Sequence, residues 1–300
     1  MTAAATDLDG RIAARARSSR RRRAIGQTLP KRILLWCVIT FFVVIVLAPF
    51  VWMISVSFKP DDEIFSRTVD ILPRDPTLAN YISIFQFIPY PRYFLNSVIV
   101  AVVTTIASTT VSVLAAYAFS RFRFRGRSAI AFLILATQMF PLVTGIIPLY
   151  LVFAKLGLID SYWALFISYV AFTIPFCTWM LKGFFDNIPR EIEEASTIDG
   201  CSRLQTLAII VLPISVPAIL ATCVFCFILS WNEFLYATVF TSSDAVKTLP
   251  AALGGLVGQG YTQWGSLNAA GVMTTLPVVI GFLMFQRYLV SGLTAGAMKG

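Results

Sequence analysis

The chain has 300 residues, of which 57% are hydrophobic and only 13% charged, with a mean hydropathy of +0.78 and a net charge of +9. Soluble domains carry about a quarter charged residues and could not cover this much apolar surface, so the composition excludes a water-soluble fold and makes lipid the solvent. The absence of histidine excludes a histidine metal site, and the five cysteines, Cys223-x-x-Cys226 among them, lie in or beside apolar runs and read as small buried hydrophobes.

Residues 1–30 form a basic arm with Arg11, Arg15, Arg17 and the run Arg20–Arg23, too polar and charged to order itself. A long apolar run follows with no small-residue cleavage site after it, so the arm is not an export signal. Its cations suit lipid headgroups, and no nucleic acid is needed to explain them.

Six apolar runs follow: Ile33–Ser55, Phe94–Phe119, Ala129–Ala154, Ser161–Leu181, Ala208–Ser230 and Ala269–Tyr288. A helix needs about 20 residues to cross the ~30 Å hydrocarbon layer, and backbone groups in lipid must pair internally, so each run is expected as one transmembrane helix. The fold class is all-α and polytopic, with about six spans. Pro141 and Pro148, with Gly145 between them, mark either ordinary kinks or an unwound hinge in the third run. With both termini in the cytoplasm, eighteen of the 24 Lys and Arg side chains fall on the inner side, which the positive-inside rule favours.

The inner loops are short except one, residues 183–207. Pro189 suits the first turn of a helix, and Glu191, Glu193 and Glu194 place negative charge near the positive end of its dipole. Ile188, Ile192, Ala195 and Ile198 recur at helical spacing and form one apolar stripe. Gly200 suits the residue that ends the helix, and Ser202 the cap of the next. A short amphipathic helix between two spans either lies on the headgroups or docks into a partner, and three glutamates favour docking.

In this loop Glu194-Ala195-Ser196, then Gly200, then Ile210-Val211-Leu212-Pro213 after nine residues, resembles the EAA loop of bacterial ABC-importer permeases (E-A-A-x3-G-x9-I-x-L-P), with Ser196 in place of the second alanine. Phe58-Lys59-Pro60, Asn80-Tyr81, Phe94-Leu95-Asn96-Ser97, Trp231-Asn232-Glu233-Phe234 and the end Gly292–Gly300 resemble the MalG-type permeases of carbohydrate importers. The resemblance implies the type I ABC-importer permease fold in a bacterial inner membrane, one permease domain over 31–300, and ATPase coupling through Glu191, Glu194, Ala195, Ser196, Gly200, Leu212 and Pro213. It implies a MalF-type second permease, a cytoplasmic ATPase dimer and an extracytoplasmic sugar-binding protein as partners. The tail Ser291–Gly300 would reach the ATPase interface, and Gly254–Gly260 the binding protein.

The sequence holds no phosphate loop, so no cofactor is expected on this chain and ATP and Mg belong to the partner ATPase. A sugar path needs aromatics and polar groups facing a cavity; Asn96, Gln138, Thr144, Trp231, Asn232 and Glu233 are the candidates, with Glu233 equally suited to anchoring a helix end. An ion-driven carrier would want a carboxylate or histidine in mid-span, and none lies there. A membrane enzyme would want a nucleophile elbow or a metal site; Asp61, Asp62 and Asp75 read instead as acidic loop residues. Glycerol phosphates stay open beside sugars as the solute.

Overall fold

The computed structural model describes residues 29–68, 70–257 and 263–297, with side chains from 31 to 286. The basic arm and the residues 258–262 of the glycine-rich loop lie outside them, as do the side chains and last three residues of the tail. Among the described residues every regular element is helical, and five helices are long and apolar enough to cross a membrane, six if one bent pair counts as a span.

Two compact units divide the chain. One comprises residues up to Ser55 with Asp70–Leu72, the other residues 56–69 and 73–300. The first unit holds most of α1 (Leu29–Ser57), whose most apolar window buries no residue. A helix apolar all round and of this length suits a membrane span. Within this unit the Ser55 hydroxyl donates to the Ile71 carbonyl.

The second unit contains α2 (Asp61–Ile64), α3 (Ala79–Phe87), α4 (Tyr90–Arg121), α5 (Arg127–Thr137), α6 (Ile146–Leu156), α7 (Tyr162–Phe185), α8 (Arg190–Ile198), α9 (Arg203–Trp231), α10 (Leu235–Phe240), α11 (Leu249–Gly255) and α12 (Trp264–Ala297). Helices α4, α7 and α9 pack on one another through small polar residues. The Ser108 and Thr173 hydroxyls share a hydrogen bond of 2.7 Å, Ser112 donates to the Ile174 carbonyl at 3.2 Å, and Cys223 donates to Thr109 at 3.5 Å. Such bonds average only about 0.6 kcal/mol in a bilayer, so the seam holds mainly because small side chains let backbones approach. The stacked rings of Phe176 and Phe225, 4.0 Å apart, close it.

The third run does not form one helix. α5 and α6 meet at 94°, joined by Gln138–Pro141 and a 3-10 turn over Leu142–Gly145. Pro141 has no N–H to donate and biases Phe140 away from helix, which breaks the run there, whereas Pro148 sits harmlessly in the first turn of α6. Eleven residues of α5 span about 16 Å, half the hydrocarbon layer, so α5 alone is too short to cross it. Tyr236 donates to the Leu142 carbonyl at 2.8 Å and Gln138 to the Phe172 carbonyl at 3.2 Å, bracing the break, and Thr144 donates to Pro141 within it. The other runs form helices that extend past the expected bounds at most ends, by up to nine residues at the end of the last, whereas the fourth begins one residue later, at Tyr162.

The turn between α6 and α7 is held by Asp160, a non-glycine residue at φ 59. Its Oδ1 accepts from the Ser242 and Ser243 backbone N–H groups at 2.8 and 2.9 Å, and these hold its carboxyl below the usual carboxylate range. A depressed folded value means the bond stabilises the turn above the unfolded pKa of about 3.9 and is lost as pH falls through the folded value. Asp160→Asn should therefore make proteolysis of the 241–248 loop insensitive to pH in the acid range, where the parent becomes more cleavable as pH is lowered.

Candidate functional site

The 183–207 loop folds largely as the sequence indicates. Pro189 precedes α8 as its cap instead of lying inside the first turn. Gly200 ends the helix at φ +87, its N–H donating to the Thr197 carbonyl at 3.1 Å, and Ser202 forms a full capping box with Gln205. The apolar stripe, however, does not face the bundle. Ile188 precedes the helix and is buried, but Ile192, Ala195 and Ile198 are exposed, Ile198 to 86%. The buried residues of α8 are Glu193 and Ser196. Its amphipathicity is thus inverted relative to its own chain: polar side chains point in, apolar ones out.

Burying a carboxylate requires charge and hydrogen-bond partners, and α4 supplies them. Glu193 is 3% exposed; its Oε1 lies 2.5 Å from Nε of Arg121 and its Oε2 accepts from the Tyr117 hydroxyl at 3.1 Å. Arg121 also donates to the Ile188 carbonyl at 3.1 Å and to Ser120 at 3.0 Å. Beside this, Asp186 pairs with Lys182 at 2.5 Å and accepts from Ser120 at 2.7 Å. Burial alone would raise the Asp186 carboxyl, but the Lys182 and Ser120 contacts outweigh it and hold it below the usual range. The Ser196 and Thr206 hydroxyls, 2.8 Å apart, latch α8 to the start of α9. Glu191, Glu194 and Gly200 are exposed on the outer side of the loop. Leu212 packs against the core at this end, and Pro213 follows a π-turn over Leu207–Val211 that relieves its clash with the preceding carbonyl.

Sequence reasoning missed Arg121, Tyr117 and Glu193 as a set. Arg121 reads as one of four loop arginines and Glu193 as a dipole charge; only the fold shows that 72 residues of separation close into one contact.

The candidate path residues are mostly engaged within the chain. Asn96 donates to the Ala245 and Lys247 carbonyls at 3.2 and 2.8 Å and accepts from the Tyr162 hydroxyl at 2.6 Å. Trp231 is 1% exposed, stacked on Phe227 and edge-on to Phe94. Asn232 caps α9 through the Ile228 carbonyl. Glu233 anchors a helix end: it accepts from the N–H groups of Tyr236 and Ala237 and from the Tyr169 hydroxyl at 2.6 Å. Gln138, although its amide donates to the Phe172 carbonyl, also borders open space. With Phe140, Phe172, Phe176, Phe225 and Tyr236 it lines a cavity of about 410 Å³ at the break between α5 and α6.

The short stretches that suggested carbohydrate permeases are joints in the same sense. Asn80 donates to the Ser57 and Lys59 carbonyls at 3.1 and 2.7 Å, Ser57 and Tyr81 share a hydrogen bond of 2.8 Å, and the Leu249 N–H donates to Ser97 at 2.8 Å. Among the described residues no cluster of cysteine, aspartate and glutamate is arranged to hold a metal.

A family profile described as "Binding-protein-dependent transport system inner membrane component" matches residues 108–294. The trehalose/maltose transport system permease protein MalG of Thermococcus litoralis is 41% identical over 273 residues, 90% of this chain and 98% of that protein. The sulfoquinovosyl glycerol transport system permease protein SmoH of Agrobacterium fabrum is 39% identical over 85% of this chain and 89% of its own length. Among solved structures, a chain of a bacterial ABC transporter involved in the import of the acidic polysaccharide alginate superposes with a TM-score of 0.73 at 26% identity, covering 85% of this chain and 95% of that one.

Proposed function

Since this chain belongs to the family of binding-protein-dependent transport system inner membrane components, we propose that it is the MalG-type permease subunit of a sugar importer, driven by a separate ATPase through α8. The observation that carries the coupling role is the inverted amphipathicity of α8. A helix that buries Glu193 and Ser196 and leaves Ile192, Ala195 and Ile198 exposed presents an apolar patch for another surface to cover, and its exposed glutamates favour a protein over anionic headgroups. Glu191 and Glu194 border that patch and supply charge to the contact, Ser196 fastens the helix from below, Gly200 shapes its end, and Leu212 and Pro213 set where the next span begins. ATP and Mg are used on the ATPase, not on this chain. A MalF-type permease completes the path and an extracytoplasmic binding protein delivers the solute.

Both termini lie in the cytoplasm, so that the arginine-rich end meets the ATPase and the anionic leaflet; this orientation rests on the eighteen-to-six division of Lys and Arg. The path runs past the α5–α6 break. Irregular backbone within the hydrocarbon layer is tolerated only where protein or a water-filled cavity covers it, and aromatic rings beside the Gln138 amide suit a sugar, whose C–H faces stack and whose hydroxyls bond. The solute is of the di- or oligosaccharide class, in keeping with a trehalose/maltose permease as a relative.

Ala195→Trp tests the docking surface. In the assembled importer the variant should reach the membrane in parent amounts, because Ala195 is exposed, yet capture about tenfold less ATPase on purification, a loss typical of a bulky residue at an interface centre. Parent-level ATPase capture would defeat the reading.

A further inference from the structure

We propose that the buried Arg121–Glu193 pair is the joint through which motion of α8 is passed to α4, a span to which α8 is not covalently adjacent. The inference rests on the coupling role proposed above for α8. The covalent exits from α8 lead to α7 and α9 and not to α4. One passes through Pro189, extended at ψ 135, and the other through Gly200, at φ +87, followed by an extended Ser202. On the α9 side the Ser196–Thr206 hydroxyl pair adds a second tie, and on neither side does the chain run to α4. The contact with α4 is of another kind. Nε of Arg121 meets Glu193 at 2.5 Å, a second guanidinium nitrogen holds the Ile188 carbonyl just before the helix, and Tyr117, one turn earlier on α4, holds the other carboxylate oxygen. The two charged side chains are only 7% and 4% exposed, so water does not loosen the contact.

Arg121 is also the last residue of α4, where the helix dipole favours a cation, and α4 runs 32 residues to the far end of the bundle. Displacing α8 therefore drags the carboxylate, the carboxylate drags the guanidinium, and α4 moves as a rod. Arg121 and Glu193 are positioning residues: neither touches nucleotide or solute.

The test reads movement directly. In the assembled importer, with Cys37, Cys201 and Cys223 replaced by serine and the buried Cys177 and Cys226 kept, a reporter cysteine is placed at the far end of α4 (Leu95→Cys) or of α7 (Trp163→Cys), both exposed sites. Its reaction with a water-soluble maleimide is followed with and without ATP and vanadate. The nucleotide should change the rate at both sites in the parent. With Glu193→Gln, or with the paired replacement Arg121→Met and Glu193→Leu, the α4 response should shrink at least about fivefold, the lower end of ordinary coupling strengths, while the α7 response and ATPase capture persist. The paired variant leaves no unpaired buried charge, so it keeps the test open if Glu193→Gln alone fails to reach the membrane.

Unequal losses in the single and paired variants, an unchanged α4 response, an α4 site that never responds in the parent, or loss of both responses together would each overturn the joint. Failure of the coupling role itself shows separately, as ATPase capture unaffected by Ala195→Trp.

Discussion

Gly200→Pro should abolish solute uptake while the chain still inserts into the membrane. The residue sits at φ +87, which costs a residue with a β-carbon about 1–2 kcal/mol and which proline, fixed near −65°, cannot reach at all. The substitution also removes the N–H that donates to Thr197. The end of α8 must then rebuild, and with it the positions of Ile198 and the Ser196–Thr206 latch. No atom crowds a β-carbon at this site, so the effect is conformational and not steric. Gly200→Asn separates the two, because asparagine enters the left-handed region readily; it should retain most uptake. Vesicle uptake of a labelled sugar that the parent importer carries, with membrane abundance measured alongside, checks both. Parent uptake in Gly200→Pro, or equal loss in Gly200→Asn, would refute the account.

The largest loss of stability is expected at the opposite end of the bundle, from Gly265→Val. A β-carbon at Gly265 would lie 2.3 Å from Oδ1, 2.5 Å from Cγ and 2.6 Å from Nδ2 of Asn80. That side chain is buried and spends its amide on the Ser57 and Lys59 carbonyls. It has no free direction to give. Overpacking costs about 1–3 kcal/mol, and loss of the two Asn80 hydrogen bonds adds about 0.5–1.5 kcal/mol each. The melting temperature in detergent should fall by roughly 5–10 °C or more, given about 2–4 °C per kcal/mol for a chain of this size. Gly281→Ala in the same helix meets nothing within 4 Å and should leave it unchanged. A parent-like Gly265→Val would mean that the α3–α12 joint is looser than its geometry requires.

The two sites illustrate how glycine serves this chain differently at its two ends. Gly200 is required by a backbone angle, Gly265 by a neighbour. A sequence pattern announces the first, because a glycine after an amphipathic helix has few other purposes. It is silent on the second, because the crowding comes from a residue 185 positions away in the chain.

The same division runs through the whole protein. Composition and run length by themselves determined the solvent, the helical class and the approximate spans, because lipid leaves a backbone no alternative to internal pairing. The spacing from Glu194 to Pro213 likewise placed a short helix, its glycine end and the capping serine, since these are properties of a few consecutive residues. Which face of α8 turns inward was decided only by the tertiary structure. Helical periodicity locates an apolar stripe but does not say whether the chain or a partner covers it, and here Arg121 and Tyr117 draw Glu193 in and leave Ile198 outside. The break at Pro141 was open for a related reason: a proline in a membrane helix either kinks or parts it according to whether neighbours satisfy the freed backbone, and here Tyr236 satisfies the Leu142 carbonyl while the Gln138 side chain ties the break to the Phe172 carbonyl of α7. Asn96, Trp231 and Glu233 show the converse, since a polar or aromatic residue at a span end serves substrate or structure equally well until its partners are known, and theirs lie in loops and helices far along the chain.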